Sequence, residues 1–359
     1  MILLVMLIIP TLVAFGFMLA NKRRIAFKEF LIQIGVQTFL IFLFSLFIGW
    51  QNTHDVEVWN GRITAKKTFH VSCEHSYQCN CYTTCSGGRN GSCTTHCSTC
   101  YEHWYDVDWE AYTSNGETID IDRIDRQGIY EPPRWTAIQI GEPTALPHSF
   151  TNYVKAAPNS LFRKTGLVEQ YRDQIPRYPG NVYDYYHVNR FVAVNLKLPE
   201  QFKREFNQKL EDLNATLGRA KQVNIIVVMV TGMPEDYYYA LEQSWIGGKK
   251  NDFIIVMNVN DIYKPTWVKA MAWSSNKMAE VVVADKLMQL DVSKGFSIDS
   301  VLDIAKDGIG KNFVRQPMND YQYLSKEITP TLGQWIFFII VGLIVSIGLG
   351  IFFLQNDFY

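Results

Sequence analysis

Three apolar stretches without a charged residue constrain this chain more than any other feature. They are "MILLVMLIIPTLVAFGFMLA" (1–20), "FLIQIGVQTFLIFLFSLFIGW" (30–50) and "QWIFFIIVGLIVSIGLGIFFL" (334–354). A bilayer core takes about 20 mainly apolar residues of helix, so each is long enough to span one. Trp50 and Trp335 stand at span ends, where amphipathic rings favour the headgroup layer. The first stretch has no basic n-region and a longer apolar run than a cleaved leader, so the reading is a retained anchor.

The loop between the first two spans, "NKRRIAFKE", sets Lys22, Arg23, Arg24 and Lys28 against Glu29. Short basic loops stay in the cytoplasm. The expected location is therefore the cytoplasmic membrane, multi-pass, with residues 51–333 extracytoplasmic. Arg62, Lys66 and Lys67 pull the other way, but they lie farther from the membrane. The implied organisation is a transmembrane helix (1–20), a basic cytoplasmic loop (21–29) and a second transmembrane helix (30–50). A cysteine-rich extracytoplasmic domain (51–187), an α/β domain (188–325) and a linker (326–333) follow. A third transmembrane helix (334–354) and a short cytoplasmic tail (355–359) complete it. The formal net charge is -1, which gives no basic footprint for nucleic acid. The expected partners are the lipid bilayer and a membrane or envelope protein.

"CEHSYQCNCYTTCSGGRNGSCTTHCSTCYEH" (73–103) holds all seven cysteines and three of the seven histidines. In an oxidising exterior close cysteines form disulfides. The disulfide candidates are Cys73, Cys79, Cys81, Cys85, Cys93, Cys97 and Cys100, with at least two bridges expected and an odd thiol left over. The competing reading is zinc. Cys93, Cys97, Cys100 and His103 run as C-x3-C-x2-C-x2-H, and Cys3His is a common structural set. His96 is an extra candidate, and a mixture of two bridges with one such site is also chemically sound.

Residues 51–187 otherwise read as mainly β or irregular. "DVEVWNGRITAKKTFHVSC" reads as strand, turn, strand with "WNG" at the turn, and "ETIDIDRIDRQGIY" as an alternating strand. Asp120, Asp122 and Asp125 lack the glycine and terminal glutamate of a calcium loop and read as a solvated face. "YDVDWEAY" and "VYDYYHV" read as aromatic packing around a small core, with sugar or protein binding as the alternative, and His148 and His187 as packed or surface histidines. No catalytic motif appears.

After Val188 the pattern changes. Phe202, Phe206, Leu210, Leu213 and Leu217 fall at helical spacing, with Pro199 at the start and Gly218 at the end. "VNIIVVMV" and "FIIVMNV" are continuous apolar runs suited to strands covered on both faces. "PEDYYYALEQSW" reads as a helix between them, making a βαβ unit. "TWVKAMAW" reads as a third strand, and "NKMAEVVVADKLMQL" and "SIDSVLDIAKDGIGKNF" as helices, the latter N-capped by Ser297.

The helix before "NIIVVMV", the segment "ALEQSWIGGKKNDFIIVM" and the closing "VSKGFSIDSVLDIAKDGI" resemble the TPM domain family over about residues 188–316. The resemblance implies a membrane-anchored, extracytoplasmic, Rossmann-like α/β/α sandwich. Members of that family are linked to phosphatase activity, divalent-metal binding, membrane-complex repair and receptor modulation, so the fold alone does not give a task. Ligands in open α/β sheets bind beyond the carboxyl ends of strands. That rule puts Thr231, Gly232, Asn258, Asn260 and Asp261 near a site. Asp252, Asp261 and Asp285 are candidate ligands for Ca²⁺ or Mg²⁺. "IGGKK" matches neither a Walker loop nor a dinucleotide fingerprint.

The expected function is a non-enzymatic, membrane-anchored interaction, assembly or modulator protein. The alternative is a membrane-bound, metal-dependent phosphatase acting through the TPM-like part. A pore lined by Gln33, Gln37, Thr38 and Ser45 is a third class, disfavoured because the spans carry no ionisable residue.

Overall fold

The computed structural model describes residues 6–20, 27–85, 87, 92–157, 166–184 and 186–356. Lys22, Arg23 and Arg24, on which the orientation argument rests, lie outside the described residues, as does most of "SGGRNGS".

Helices α1 (Ile8–Ala20), α2 (Phe27–Thr53) and α10 (Leu332–Gln355) pack together. Among the described residues, α2 and α10 are the helices long and apolar enough to cross a membrane. The described part of α1 has 13 residues and rises about 20 Å, short of a bilayer core of about 30 Å. The helices meet over a polar seam. Gln37 Nε2 donates to Gly342 O at 3.2 Å and to Ser346 Oγ at 3.0 Å, and Ser346 Oγ donates to Pro10 O at 3.2 Å. Thr38 and Ser45 instead bond back to carbonyls of their own helix.

Helix α2 runs directly into β1 (His54–Val71), one strand of 18 residues. The expected turn at "WNG" is therefore wrong. β1 pairs antiparallel with β6 (Pro143–Thr151) along its first half and with β4 (Asp106–Thr113) along its second. The change of partner falls around Gly61–Ile63. A Cβ on Gly61 would lie 2.8 Å from Ser114 Oγ, so this glycine permits a close approach inside a strand rather than a turn. With β5 (Thr118–Ile121) the sheet order is β5-β4-β1-β6. Ile63, Trp109, Ile119, Ile121 and Trp135 form its core.

A hairpin of β2 (Ser76–Cys85) and β3 (Cys93–Tyr101) leaves this sheet between β1 and β4 as a separate two-stranded ribbon. Nearly every residue of it is exposed.

The second sheet, in order β10-β9-β8-β7, takes β7 (Phe191–Val194), β8 (Asn224–Val230), β9 (Asp252–Val259) and β10 (Pro265–Ala272). β7, β8 and β9 are parallel and β10 is antiparallel. All residues of β8 and β9 are buried, as continuous apolar runs require. Helices α6 (Glu200–Lys221), α8 (Met278–Met288) and α9 (Ile298–Asn312) cover one face. Helix α7 (Asp236–Ser244) and the Tyr171–Tyr178 segment cover the other. Ser297 caps α9 by accepting from Ser300 N at 3.2 Å.

Gly218 does not end α6. The helix continues to Lys221 and closes on Gln222 in a left-handed conformation. Gly218 instead faces β1, where a Cβ would stand 2.0 Å from Asn60 O. A buried polar network crosses the same contact. Arg190 donates to Asn224 Oδ1 at 2.7 Å and to Asn60 Oδ1, and Asn251 Nδ2 donates to Val58 O at 2.6 Å. The two sheets are thus joined by hydrogen bonds that a buried polar group cannot lack without cost.

Candidate functional site

Three disulfides cross the ribbon: Cys79–Cys100, Cys81–Cys97 and Cys85–Cys93. They nest because antiparallel pairing sets early cysteines of β2 opposite late ones of β3. Cys85 faces Cys93 directly. The zinc set Cys93, Cys97, Cys100 and His103 is corrected by these bonds, since a disulfide sulfur is not the thiolate that binds zinc. His96 stacks on Tyr82 with ring centroids 5.4 Å apart. Disulfides hold the ribbon because its exposed strands have no apolar interior.

Cys73 is the free cysteine among the described residues, and it is buried. It sits where the chain enters the ribbon. The β1–β4 register pairs Val71 with Asp106, so entry and exit run side by side. Glu102 N donates to His75 O at 3.0 Å across the base. This register brings Cys73 to His103 and Asp106, which lie 30 or more residues further along the chain. Cys73 Sγ lies 3.7 Å from His103 Nδ1, and the same nitrogen lies 3.3 Å from Asp106 Oδ1. The sulfur, the nitrogen and a carboxylate oxygen all lie within 4.8 Å of one another. Among the described residues this is the grouping of metal-ligating side chains that the fold assembles.

Asp106 is fully buried. Its Oδ2 accepts from Glu74 N at 3.0 Å and from Arg123 Nη1 at 3.1 Å, which leaves Oδ1 turned toward His103. Burial opposes the charge of this carboxylate. The Glu74 N–H, Cys73, His103 and Arg123 outweigh burial and hold it below the usual carboxylate range. A Cys–His–Asp relay needs thiol and carboxylate on different ring nitrogens. Here Nδ1 faces both, which is the geometry of convergence on a point rather than of a proton relay.

An open cleft of about 600 Å³ adjoins the cluster, lined by Cys73, Tyr77, Cys100, Tyr101, His103 and Trp104 among others. Trp104 is 99% exposed, and Tyr77, Tyr82 and Tyr101 are also exposed. The sequence singles out neither Asp106 nor Arg123, because "YDVDWEAY" reads as an aromatic segment. The odd count of cysteines signals a leftover thiol without saying which.

The acidic candidates do not converge. Asp252 opens β9 and Asp261 follows its end, so the strand holds them roughly 20 Å apart at about 3.3 Å per residue. Asp252 is buried, accepting from Tyr178 Oη at 2.6 Å, Asn224 Nδ2 at 2.8 Å and Lys249 N at 2.6 Å. Asp285 accepts from Gln289 on the surface of α8. At the strand ends, Thr231 Oγ1 donates to Val259 O, and Asn258 Oδ1 accepts from Met233 N. Asn260 Oδ1 accepts from Ile262 N and Lys264 N, closing its own turn. His148 stacks on Trp59 at 3.6 Å, and His187 pairs with Glu211.

No protein-family model, curated protein or solved structure matches the chain.

Proposed function

We propose that this is a multi-pass protein of the cytoplasmic membrane whose extracytoplasmic residues 51–333 bind a membrane or envelope protein partner through the cysteine-bridged ribbon. The reading is non-enzymatic. The observation that carries it is the ribbon itself: two exposed strands, crosslinked three times, standing clear of either sheet. Crosslinks lower the ordering cost that a flexible arm would meet on binding. At its base three exposed aromatics, Tyr77, Tyr101 and Trp104, offer the residue types that dominate interface energy. Disulfides favour an oxidising compartment, and α2 and α10 supply anchors on either side of the folded part.

In the same reading the second sheet and its helices are a TPM-like, Rossmann-like unit. Three parallel strands, the α7 crossover and helices on both faces support that assignment. The unit serves as a rigid platform that holds the ribbon at a fixed height above the membrane.

The test compares wild type with Trp104→Ala and with a chain in which a short Gly-Ser turn replaces residues 76–101. The near contact of His75 and Glu102 makes that closure feasible. Native-gel mass is read from membranes solubilised in mild detergent. Both variants are expected to reach the membrane at wild-type level and to migrate as smaller assemblies. An unchanged assembly mass, or metal-dependent turnover of phosphate esters by the purified protein, overturns the reading.

A further inference from the structure

We infer that Cys73, His103 and Asp106 form a zinc-binding site at the base of the ribbon, with a fourth coordination position open to the adjoining cleft. A tetrahedral zinc with ordinary bond lengths has ligand-to-ligand edges of about 3.5 Å from sulfur to nitrogen and about 3.3 Å from nitrogen to oxygen. The corresponding separations here are 3.7 Å and 3.3 Å. The third edge falls within the 4.8 Å that encloses all three atoms.

The surroundings suit an ion as well as the ligands do. Carboxylates that bind a metal through one oxygen are commonly held by hydrogen bonds to the other, and Glu74 N and Arg123 hold Asp106 Oδ2 in this way. Arg123 also pairs with Asp108 and Glu74, so its own charge is balanced outside the cluster. A thiolate and a carboxylate together carry the charge that neutralises a divalent cation. A thiolate with an imidazole selects a borderline-soft metal and disfavours Ca²⁺ and Mg²⁺, which take oxygen ligands. Cys73 and Asp106 are buried while the His103 side chain is 25% exposed, which leaves the histidine on the entry side.

The site differs from any set that sequence spacing offers. It takes the one cysteine the ribbon leaves unbridged, and it ties the strand that enters the ribbon to the strand that leaves it. Zinc there fixes the angle at which the ribbon stands on the first sheet. The inference does not depend on what the ribbon binds.

The experiment uses full-length protein in detergent, with the three disulfides intact. Co²⁺ is added in place of Zn²⁺. A sulfur-to-cobalt charge-transfer band and strong visible absorption of tetrahedral cobalt are expected, and equimolar Zn²⁺ is expected to abolish both. Cys73→Ser is expected to remove the charge-transfer band, and His96→Ala to leave it unchanged. A second measurement needs no variant. Alkylation of Cys73 in the wild-type protein is expected to slow roughly tenfold or more with Zn²⁺, and to recover with chelator, because the metal takes the thiolate that the reagent needs. Alkylation at one rate with and without Zn²⁺ overturns the inference. So does a charge-transfer band that survives in Cys73→Ser, or recovery of Cys73 in a disulfide with a second chain.

Discussion

The ribbon of β2 and β3 and the second sheet are both built from strands, yet they hold together by opposite means. Every residue of β8 and β9 is buried, and the bonds between those strands lie inside a double apolar cover. In the ribbon nearly every residue is exposed, and three disulfides stand where a core would be. Burial stabilises in proportion to the apolar area removed from water, which a lone hairpin cannot supply. A crosslink acts instead on the unfolded chain, by restricting it. The second sheet should therefore melt as one unit with its helices, and the ribbon should open independently of it.

The largest expected effect tests the core. Phe206 is fully buried and stacks on Phe191 with centroids 4.1 Å apart. Phe206→Ala should lower the stability of the second sheet by about 3–5 kcal/mol. Thermal unfolding in detergent, followed by tryptophan fluorescence, measures it. Amide exchange in β2 and β3 should stay at wild-type rates below the melting range. Simultaneous loss of ribbon protection would join the two regions into one cooperative unit.

Next come the bridges. Because the bridges nest, replacing Cys79 and Cys100 together by serine frees only the 5 residues by which their separation exceeds that of Cys81 and Cys97 (21 − 16), whereas replacing Cys85 and Cys93 together releases a separation of 8. Chain entropy predicts losses of about 2 and about 2.5 kcal/mol respectively. The loss should appear in ribbon amide exchange, larger for the Cys85–Cys93 pair, with the main melting transition unmoved. A fall in that transition for either pair would show that the ribbon braces the core.

The most gradual effect is a slope with pH, and it belongs to the contact between the sheets. Burial pushes the Asp252 carboxyl from 3.8 up to about 6, against the pull of Tyr178, Asn224 and Lys249. Between those values the folded chain holds a proton that the unfolded chain has released. Stability from this group therefore falls as pH rises from about 4 to about 6 and levels off above, by at most about 1.4 kcal/mol per pH unit. Asp55 and Asp106 are shifted down, so their opposite contribution lies at lower pH. Tyr178→Phe removes a donor to Asp252 and should carry the fall beyond pH 6. A melting temperature that is flat with pH in both proteins would mean that Asp252 keeps its charge without cost.

Much of the second sheet was legible because its signals are local. The runs at β8 and β9, the periodic faces of α6 and α9 and the Ser297 cap each lie within a single element. Two glycines misled for one reason. Gly61 and Gly218 read as a turn and a helix end, but both are places where another part of the chain comes too close for a side chain. The strand β7 went unnoticed because its four residues, "FVAV", gain meaning only beside β8. The odd cysteine count announced a leftover thiol. That the thiol is Cys73, and that it meets His103 and Asp106, follows only from the register of Val71 with Asp106.

The sequence by itself determined the apolar helices and the alternation of buried strands and amphipathic helices after Val188, and left the cysteine-rich segment open between disulfides and zinc. Hydrophobic patterning and compartment chemistry act on short stretches, so they can be read there. Tertiary structure alone decided which cysteines pair, where β1 changes partners, and which side chains surround the thiol left over. Those outcomes depend on strand register, which burial of a face against the rest of the chain fixes in the sheets and which the bridges themselves hold in the exposed ribbon.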